Sequence, residues 1–345
     1  MKLTESALKP LATITVALVL GTLLILPTGT SPVEAYRALL FGAFGNLQNL
    51  AATLARATPL LFTGLAAAFA FQSGIFNIGA EGQMYLGAFT AALVGIYAGG
   101  LPALVVQPLA LLAAALAGGI WSLPAGLFRA RLQINEVIST IMLNNIAILF
   151  TGYLATYPFK GELPIGATSQ VSPAARLLQF TDRSNLNMGF VVAVGLTIAL
   201  YYFLYNTGYG FEFRALGTNP TFAGYIGVGV PTQIVKGLFL SGMIAGLGGA
   251  EQVLGVHLRF ISGFSPGYAF TGITVALLGR LHPFGVLVGA IFFGALENGA
   301  LRMETMTTVS RDLLTALQGI IILLLAAEYL LKFKSRVRGR LNDPA

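Results

Sequence analysis

Apolar runs of about 20 residues recur along almost the whole chain, separated by short polar or glycine-rich stretches. A run of this length crosses the ~30 Å of hydrocarbon in a bilayer as an α-helix. The pattern predicts ten spans, at residues 11–28, 50–72, 76–98, 103–128, 135–157, 188–207, 231–256, 268–281, 284–303 and 311–332. We therefore expect an all-α integral membrane protein with a single transmembrane domain over residues 1–345.

Three of the predicted segments have unusual lengths. Residues 268–281 are few for a full crossing and could re-enter the membrane instead. Residues 32–46 are short and mixed in polarity, which favours a helix lying in the membrane interface. The apolar core of residues 11–26 is at or beyond the upper length of a signal-peptide core, which favours an uncleaved first helix.

Basic residues decide the expected orientation, because Lys and Arg are enriched in cytoplasmic flanks. More of them fall in inner segments than in outer ones when both termini are placed in the cytoplasm. The run KFKSRVRGR at 332–340 then opens a basic cytoplasmic tail, residues 332–345. The same assignment places residues 158–187 outside and residues 208–230 in the cytoplasm.

Composition agrees with a membrane protein and excludes several other classes. Only 10% of the residues are charged, against about 25% in soluble domains. The net charge of +7 does not come from a soluble basic patch, so we expect contact with membrane lipid and none with nucleic acid. The chain has no Cys and two distant His residues, so we expect no disulfide framework and no metal site.

Polar side chains nevertheless occur within the predicted spans. An ionisable group at mid-membrane costs about 2.5–3.5 kcal/mol and therefore usually faces a bundle interior or water. The candidates for a solute pathway are Asn77, Glu81, Gln83, Asn144, Asn145, Glu251, Glu297 and Asn298. Their amides suit an uncharged, hydroxylated solute, since a charged one would call for more fixed charge. Each candidate could equally join neighbouring helices through hydrogen bonds.

Short sequence echoes raise the question of internal symmetry. The stretches GGAEQ at 248–252 and GALEN at 294–298 echo GAEGQ at 79–83. Residues 50–157 and 231–332 could therefore be inverted repeats with polar sites near the midplane. Chance in a chain rich in Gly and Ala explains such short echoes about as well.

The cytoplasmic stretch 206–231 contains a helix-start pattern. Pro is favourable at the first position of a helix, and an Asn before it can cap the free N–H groups. Asn219 and Pro220 have this arrangement. We predict a short helix from about Pro220 to Ile226.

Three stretches resemble one family of transport proteins. They are FNIGAEGQMYLGAF at 76–89, INEVISTIMLNNIA at 134–147 and GYGFEFRALGTNPTFAGYIGV at 208–228. They look like the permease subunits of bacterial ABC importers in the branched-chain amino acid/ribose permease superfamily. Within it they most resemble the larger permease of nucleoside importers fed by lipoproteins of the basic membrane protein type. The resemblance runs in order over roughly residues 10–335, and the third stretch is shared more widely in the superfamily.

The resemblance implies a ten-span permease in the bacterial cytoplasmic (inner) membrane. Its implied partners are a second, shorter permease, two cytoplasmic ATPase subunits and an extracytoplasmic solute-binding lipoprotein. It also implies that the loop 208–230 couples the permease to the ATPases, through Glu212, Arg214, Gly217, Asn219 and Pro220. No G-x-x-x-x-G-K-[ST] motif occurs in the chain, so we expect ATP and Mg²⁺ on the partner subunits and no cofactor on this one.

The expected function is therefore a transport subunit without enzymatic activity of its own, with nucleosides as the favoured solute. A permease for pentoses or other simple sugars is an open alternative. An ion-coupled secondary transporter with similar polar residues is a second alternative. An intramembrane enzyme is a third, but the three Asp residues lie near or beyond the span ends.

Overall fold

A computed structural model of the protein describes residues 15–310 except 17 and 182, together with residues 312, 316, 319, 320, 323 and 324. Every regular element in these residues is helical, apart from two isolated β-bridges. The helices are α1 Leu18–Thr28, α2 Pro32–Phe44, α3 Leu47–Gln72, α4 Ala80–Tyr97, α5 Ala103–Leu132, α6 Glu136–Thr156, α7 Met188–Asn206, α8 Gly208–Thr218, α9 Pro220–Tyr225, α10 Val230–Glu251, α11 Tyr268–Leu278 and α12 Pro283–Met306.

The helices agree closely with the predicted spans between residues 50 and 303. Six of them are long and apolar enough to cross a membrane, namely α3, α5, α6, α7, α12 and α10 with its π-helical continuation to His257. The chain is thus a multi-pass, all-helical membrane protein, as predicted. The predicted span 311–332 lies largely, and the tail 332–345 wholly, outside the described residues, so the count of ten spans stays a prediction.

Contacts divide the chain into two compact units, residues 1–50 with 295–345, and residues 51–294. In the first unit α1 and α2 meet at a bend of 115°. The predicted helix at 32–46 is thus confirmed as α2, while its position in the membrane interface stays a prediction. Its Gly42 lies against Gly299 and Arg302 of α12, where a Cβ on Gly42 would come within 3.1 Å of the Gly299 Cα.

In the second unit α10 packs along both α4 and α5. Glycines allow this, because a residue without Cβ lets two helix backbones touch. A Cβ on Gly118 of α5 would lie 3.0 Å from the Gly246 Cα, and one on Gly87 of α4 would lie 2.8 Å from the Gly246 carbonyl carbon. A Cβ on Gly242 would meet the Gly118 carbonyl carbon at 3.0 Å. Gly242 and Gly246 therefore let α10 pack closely against its neighbours.

The segment 158–187, predicted as an outer loop, is tied to the end of α10 by backbone hydrogen bonds. The amide of Val171 donates to the Leu258 carbonyl at 2.9 Å, and that of Leu177 donates to the Leu254 carbonyl, also at 2.9 Å. Val171 and Leu177 are buried in an apolar cluster with Phe89 of α4. The segment therefore covers one end of α4, α5 and α10.

The sidedness of the chain can be tested with single cysteines, since the native sequence has none. Asn219, between α8 and α9, and Ser169, in the segment 158–187, are both exposed. We expect a membrane-impermeant maleimide to label Asn219→Cys only from the cytoplasmic side and Ser169→Cys only from outside. The cysteine-free parent gives the background, and labelling of Asn219→Cys in intact cells would reverse the orientation.

Candidate functional site

Residues 73–79, between α3 and α4, are not helical, and their polar groups are paired inside the bundle. Asn77 is completely buried. Its Nδ2 donates to the Gln83 Oε1 and to the Ser241 Oγ, each at 2.8 Å. Its Oδ1 accepts from the Gly79 amide at 3.0 Å. Ser241 in turn donates to the Ala66 carbonyl of α3 at 2.8 Å, so that one amide links α3, α4 and α10.

Asn144 of α6 attaches a fourth helix to the same place. Its Oδ1 accepts from the Gly82 amide, and its Nδ2 donates to the Ile78 carbonyl, both at 2.7 Å. These two backbone groups lie at the start of α4, where the helix does not satisfy all of its own hydrogen bonds. Asn144 therefore forms hydrogen bonds with backbone groups at the end of the non-helical residues 73–79 and at the start of α4.

Glu81 caps another helix. It is only 4% exposed, and its Oε2 accepts from the backbone amide of Ala269 at 2.8 Å. Ser265 donates a side-chain hydrogen bond to the same carboxylate, and its Oγ accepts from the amides of Gly267 and Tyr268 at 3.2 and 3.1 Å. A carboxylate at a helix N-terminus is favourable because it meets free N–H groups and the positive end of the helix dipole.

The helix that Glu81 caps is too short to cross a bilayer. α11 has 11 residues, which at 1.5 Å per residue gives roughly 16 Å, about half of the hydrocarbon thickness. Ala269, in its first turn, is buried. The helix length therefore agrees with the suggestion that residues 268–281 do not cross the membrane fully. The Glu81 carboxylate accepts a hydrogen bond from the buried N–H group of Ala269 at the start of this helix.

Glu251 forms a second polar cluster, at the end of α10. It is 1% exposed, and Asn187 and Gln252 donate to its two oxygens at 2.8 and 2.7 Å. The Oδ1 of Asn187 caps α7 by accepting from the Gly189 amide at 2.8 Å. The carboxylate therefore joins α10 to the start of α7, at the point where α10 continues as the π-helix Gln252–His257.

The remaining pathway candidates fall in different surroundings. In the unit of residues 1–50 and 295–345, Asn298 donates to the carbonyls of Gly42 and Asn49, each at 3.0 Å. Glu297, beside it on α12, is half-buried. Asn145 of α6, in contrast, is exposed, and its Nδ2 donates to the Ile141 carbonyl of its own helix at 3.2 Å.

The structure thus brings Asn77, Glu81, Gln83 and Asn144 together around the start of α4, and it places Glu251 in a separate cluster. Their hydrogen bonds favour the helix-joining interpretation for these five residues. A role in the solute pathway stays a prediction for all eight candidates, and Asn145 alone among those of residues 51–294 is exposed.

The sequence analysis did not identify three hydrogen-bond partners of the candidate residues, namely Ser241, Ser265 and Asn187. Ser265 precedes α11 and has the residue type of a helix cap, which was a usable signal. It also lies in Gly263–Gly267, which matches the Gly-x-Ser-x-Gly pattern of hydrolases. That pattern needs a strand-to-helix turn, whereas here the serine follows a loop and caps a helix.

The predicted coupling loop 208–230 contains two helices, α8 and α9, where only the second was expected. Gly208 and Gly210 weaken the sequence signal of the first helix, because Gly has low helix propensity. α8 forms because Thr207 caps it, with the Gly210 amide donating to the Thr207 Oγ1 at 3.1 Å. Gly210 is needed there, since a Cβ would collide with the backbone of Phe203 and Leu204.

The charged residues of α8 point to neighbours within the chain. Glu212 accepts a hydrogen bond from the Nε2 of Gln233 in α10. Arg214 lies over the ring of Tyr205, 5.0 Å from its centroid. The same ring packs against His282 at 5.5 Å, and partial burial lowers the pKa of the His282 imidazole. Arg214 thus forms a cation–π contact with α7.

Gly217 and α9 lie in the second half of the predicted coupling loop 208–230, which we call the coupling segment. Gly217 lies against the carbonyl of Gln72, the last residue of α3. Asn219 caps α9 by accepting from the Phe222 amide at 3.1 Å, and Pro220 is its first residue. The predicted helix from Pro220 is therefore confirmed. Apolar side chains are exposed on it, above all Tyr225, at 86%.

A cavity of about 210 Å³ separates this segment from the turn between α5 and α6. Leu216 and Pro220 line one side, and Arg129 and Glu136 line the other. Arg129 and Glu136 form an ion pair at 3.2 Å. The cavity therefore lies between the end of α8 with the start of α9 and the end of α5 with the start of α6.

Comparison with known proteins points to one family. The family model described as "Branched-chain amino acid transport system / permease component" matches residues 49–326. The chain is 37% identical over 339 residues to the guanosine ABC transporter permease protein NupP of Bacillus subtilis. This alignment covers 97% of this chain and 96% of that protein.

Two further relatives also align over most of their length. The glucose ABC transporter permease protein TsgB13 of Haloferax volcanii is 32% identical over 338 residues, covering 94% of this chain and 88% of that protein. The nucleoside ABC transporter permease protein NupB of Lactococcus lactis is 30% identical over 339 residues, covering 95% and 93%. The relatives thus include nucleoside and sugar permeases.

Glu81 gives a direct test of the capped half-helix. Glu81→Ala should leave the buried Ala269 N–H without a partner, which costs about 1–3 kcal/mol, and should lower both thermal stability in detergent and solute uptake. Glu81→Gln keeps an acceptor oxygen and should retain much of both. The exposed Glu162→Ala is the matched control. A Glu81→Ala protein with the melting temperature of the parent would contradict the capping role.

Proposed function

The chain belongs to the family of branched-chain amino acid transport system permease components, and from this premise we propose that it forms part of the membrane path of an ABC importer for nucleosides. The observation that carries the proposal is the alignment to the guanosine permease NupP over nearly the whole of both chains. Membership in this family also disfavours an ion-coupled secondary transporter and an intramembrane enzyme.

The chemistry of the described helices supports an uncharged solute. The carboxylates of Glu81 and Glu251 are buried and hydrogen-bonded within the chain, so they offer no free charge to a solute. Asn77, Gln83 and Asn144, which remain pathway candidates, carry amides in place of charges. An amide both donates and accepts, as do the hydroxyls of a ribose and the edge of a base.

A simple sugar is the second candidate solute. The glucose permease TsgB13 aligns over 94% of this chain at 32% identity, only slightly below the 37% of NupP. An amide pairs with sugar hydroxyls as readily as with a nucleoside. The distinction therefore needs a transport measurement.

The proposed partners follow from the absence of a nucleotide-binding motif in this sequence and from the exposed cytoplasmic segment. We expect a second permease, two ATPase subunits that carry ATP and Mg²⁺, and an extracytoplasmic solute-binding lipoprotein, assembled in the bacterial inner membrane. Phe222 and Tyr225 on α9 are exposed in a segment that we assign to the cytoplasm. Exposed aromatic side chains of this kind often form the centre of an interface, here with the ATPase subunits.

Transport by the purified complex tests the proposed function. We expect the complex, isolated from its native host through a tag on this chain and reconstituted in liposomes, to take up radiolabelled guanosine only with ATP and the binding protein present. Unlabelled adenosine or uridine should compete, and a hundredfold excess of glucose or ribose should not. Inhibition by the sugars alone would favour the sugar importer, and ATP-independent uptake driven by an ion gradient would refute the ABC assignment.

The coupling segment gives a separate test. Tyr225→Ala and a Gly replacement of residues 221–224 should leave insertion intact and reduce solute-stimulated ATPase activity at least about fivefold, because an interface aromatic contributes upward of 1 kcal/mol. Arg214→Glu should act in the same direction, since it removes the cation–π contact that orients α8 against Tyr205.

The matched control for this test is Tyr97→Ala, a tyrosine that is 74% exposed at the far end of α4. It should leave ATPase activity unchanged. If the ATPase activity of all three coupling variants equals that of the parent, the coupling lies elsewhere in the chain.

A further inference from the structure

One face of α6 has no partner in the described part of the chain. It consists of Ile138, Met142, Asn145, Leu149 and Tyr153, spaced three or four residues apart, and we call it the α6 face. All five side chains are exposed, and Leu149 most of all, at 73%. The opposite side of α6 carries Asn144, Ala147 and Thr151 and is buried against the rest of the unit.

Asn145 lies near the middle of this face and near the middle of the helix. α6 runs from Glu136 to Thr156 and has 21 residues. At 1.5 Å per residue Asn145 lies roughly 14 Å from one end of a helix about 30 Å long. Its Nδ2 makes one bond within its own helix, and its Oδ1 accepts none from the described residues. Lipid chains cannot supply the missing partner.

Other exposed helix faces of the same unit have the composition expected next to lipid. On α5 the exposed large side chains between residues 104 and 120 are aliphatic, among them Leu109, Leu112 and Leu116. On α7 Val191 and Ile198 are exposed in the same way. Neither helix exposes an amide in its middle turns. The α6 face therefore differs from these two in its chemistry as well as in its exposure.

We infer that the α6 face contacts the second permease subunit, with the Asn145 amide hydrogen-bonded to a polar group of that subunit. The inference rests on the proposed function, which requires a second permease. At mid-membrane depth neither the ATPase subunits nor a soluble binding protein can reach Asn145, so the partner must itself be embedded in the membrane. Amides on exposed helix faces join transmembrane helices in this way, and the surrounding Met142, Leu149 and Tyr153 supply apolar area.

Photocrosslinking tests which face meets the second permease. We expect p-benzoylphenylalanine at Met142 or Leu149 to yield, in the complex purified from native membranes, a crosslinked product that contains a peptide of a permease-family chain. The same probe at Leu112 of α5 or Ile198 of α7 is the matched control and should yield none. A crosslink to another copy of this chain would support the inference equally, because that copy would then be the second permease.

Other outcomes overturn the inference. Crosslinks from the α6 positions only to lipid, or only to residues 1–14 or 311–345 of the same chain, would show that something else covers the face. Permease crosslinks from the α5 or α7 positions but not from α6 would place the interface elsewhere and leave the proposed function standing. A complex that contains no second permease at all would remove the proposed function together with the inference.

Substitution of Asn145 separates its amide from the apolar part of the face. Asn145→Leu should reduce the amount of second permease retained after detergent dilution by about threefold or more, since about threefold corresponds to the average measured for hydrogen bonds between transmembrane helices. Asn145→Gln should restore most of it, and Leu112→Ala, on the exposed side of α5, should have no effect. Full retention by Asn145→Leu would refute the role of the amide.

Discussion

A helix that begins among packed helices buries backbone N–H groups that its own turns cannot satisfy, and this protein has two such buried helix starts. One is the start of α4, after residues 73–79, and the other is the start of the half-length helix α11. Asn77 and Asn144 supply the polar atoms at the first, and Glu81 with Ser265 supplies them at the second. A carboxylate in an otherwise apolar, glycine-rich run is explained by this requirement, since it satisfies the buried end of α11.

These hydrogen bonds are short because the helices approach closely. Gly246 lets α10 touch α4 and α5 at backbone distance, and Gly249 lies against the Met84 carbonyl, one turn along α4 from Glu81. With larger residues at these positions the helices would have to move apart, because an added Cβ would collide with backbone atoms of the neighbouring helix. Ser241 and Asn77, now 2.8 Å apart, would then lose contact. The glycines therefore set the distance between the helices, and the polar side chains form hydrogen bonds across that distance.

The sequence predicted the helical class and most helix positions, because those depend on the length and composition of local runs. It could not assign roles to the polar residues, because their partners are distant in sequence. Asn144 and Asn145 are neighbours, yet a helix turns them about 100° apart, and only the packing of α6 decides which one is buried. Glu251 likewise has a hydrogen-bond partner, Asn187, that lies 64 residues away in sequence. α8 was missed because Gly210 is unfavourable in an isolated helix and is required by contact with α7.

The predicted coupling loop, residues 208–230, contacts two of the helices that hold the polar cluster around Asn77, namely α3 and α10. Phe213 of α8 packs on Phe69 of α3 at 5.2 Å and beside Gly237 of α10. Ala66 and Ser241, one turn further along these two helices, hold Asn77. A shift of α8 would therefore displace α3 and α10 together and change the hydrogen bonds at the start of α4. Asn144 ties that start to α6, so the movement would reach the helix whose exposed face carries Asn145.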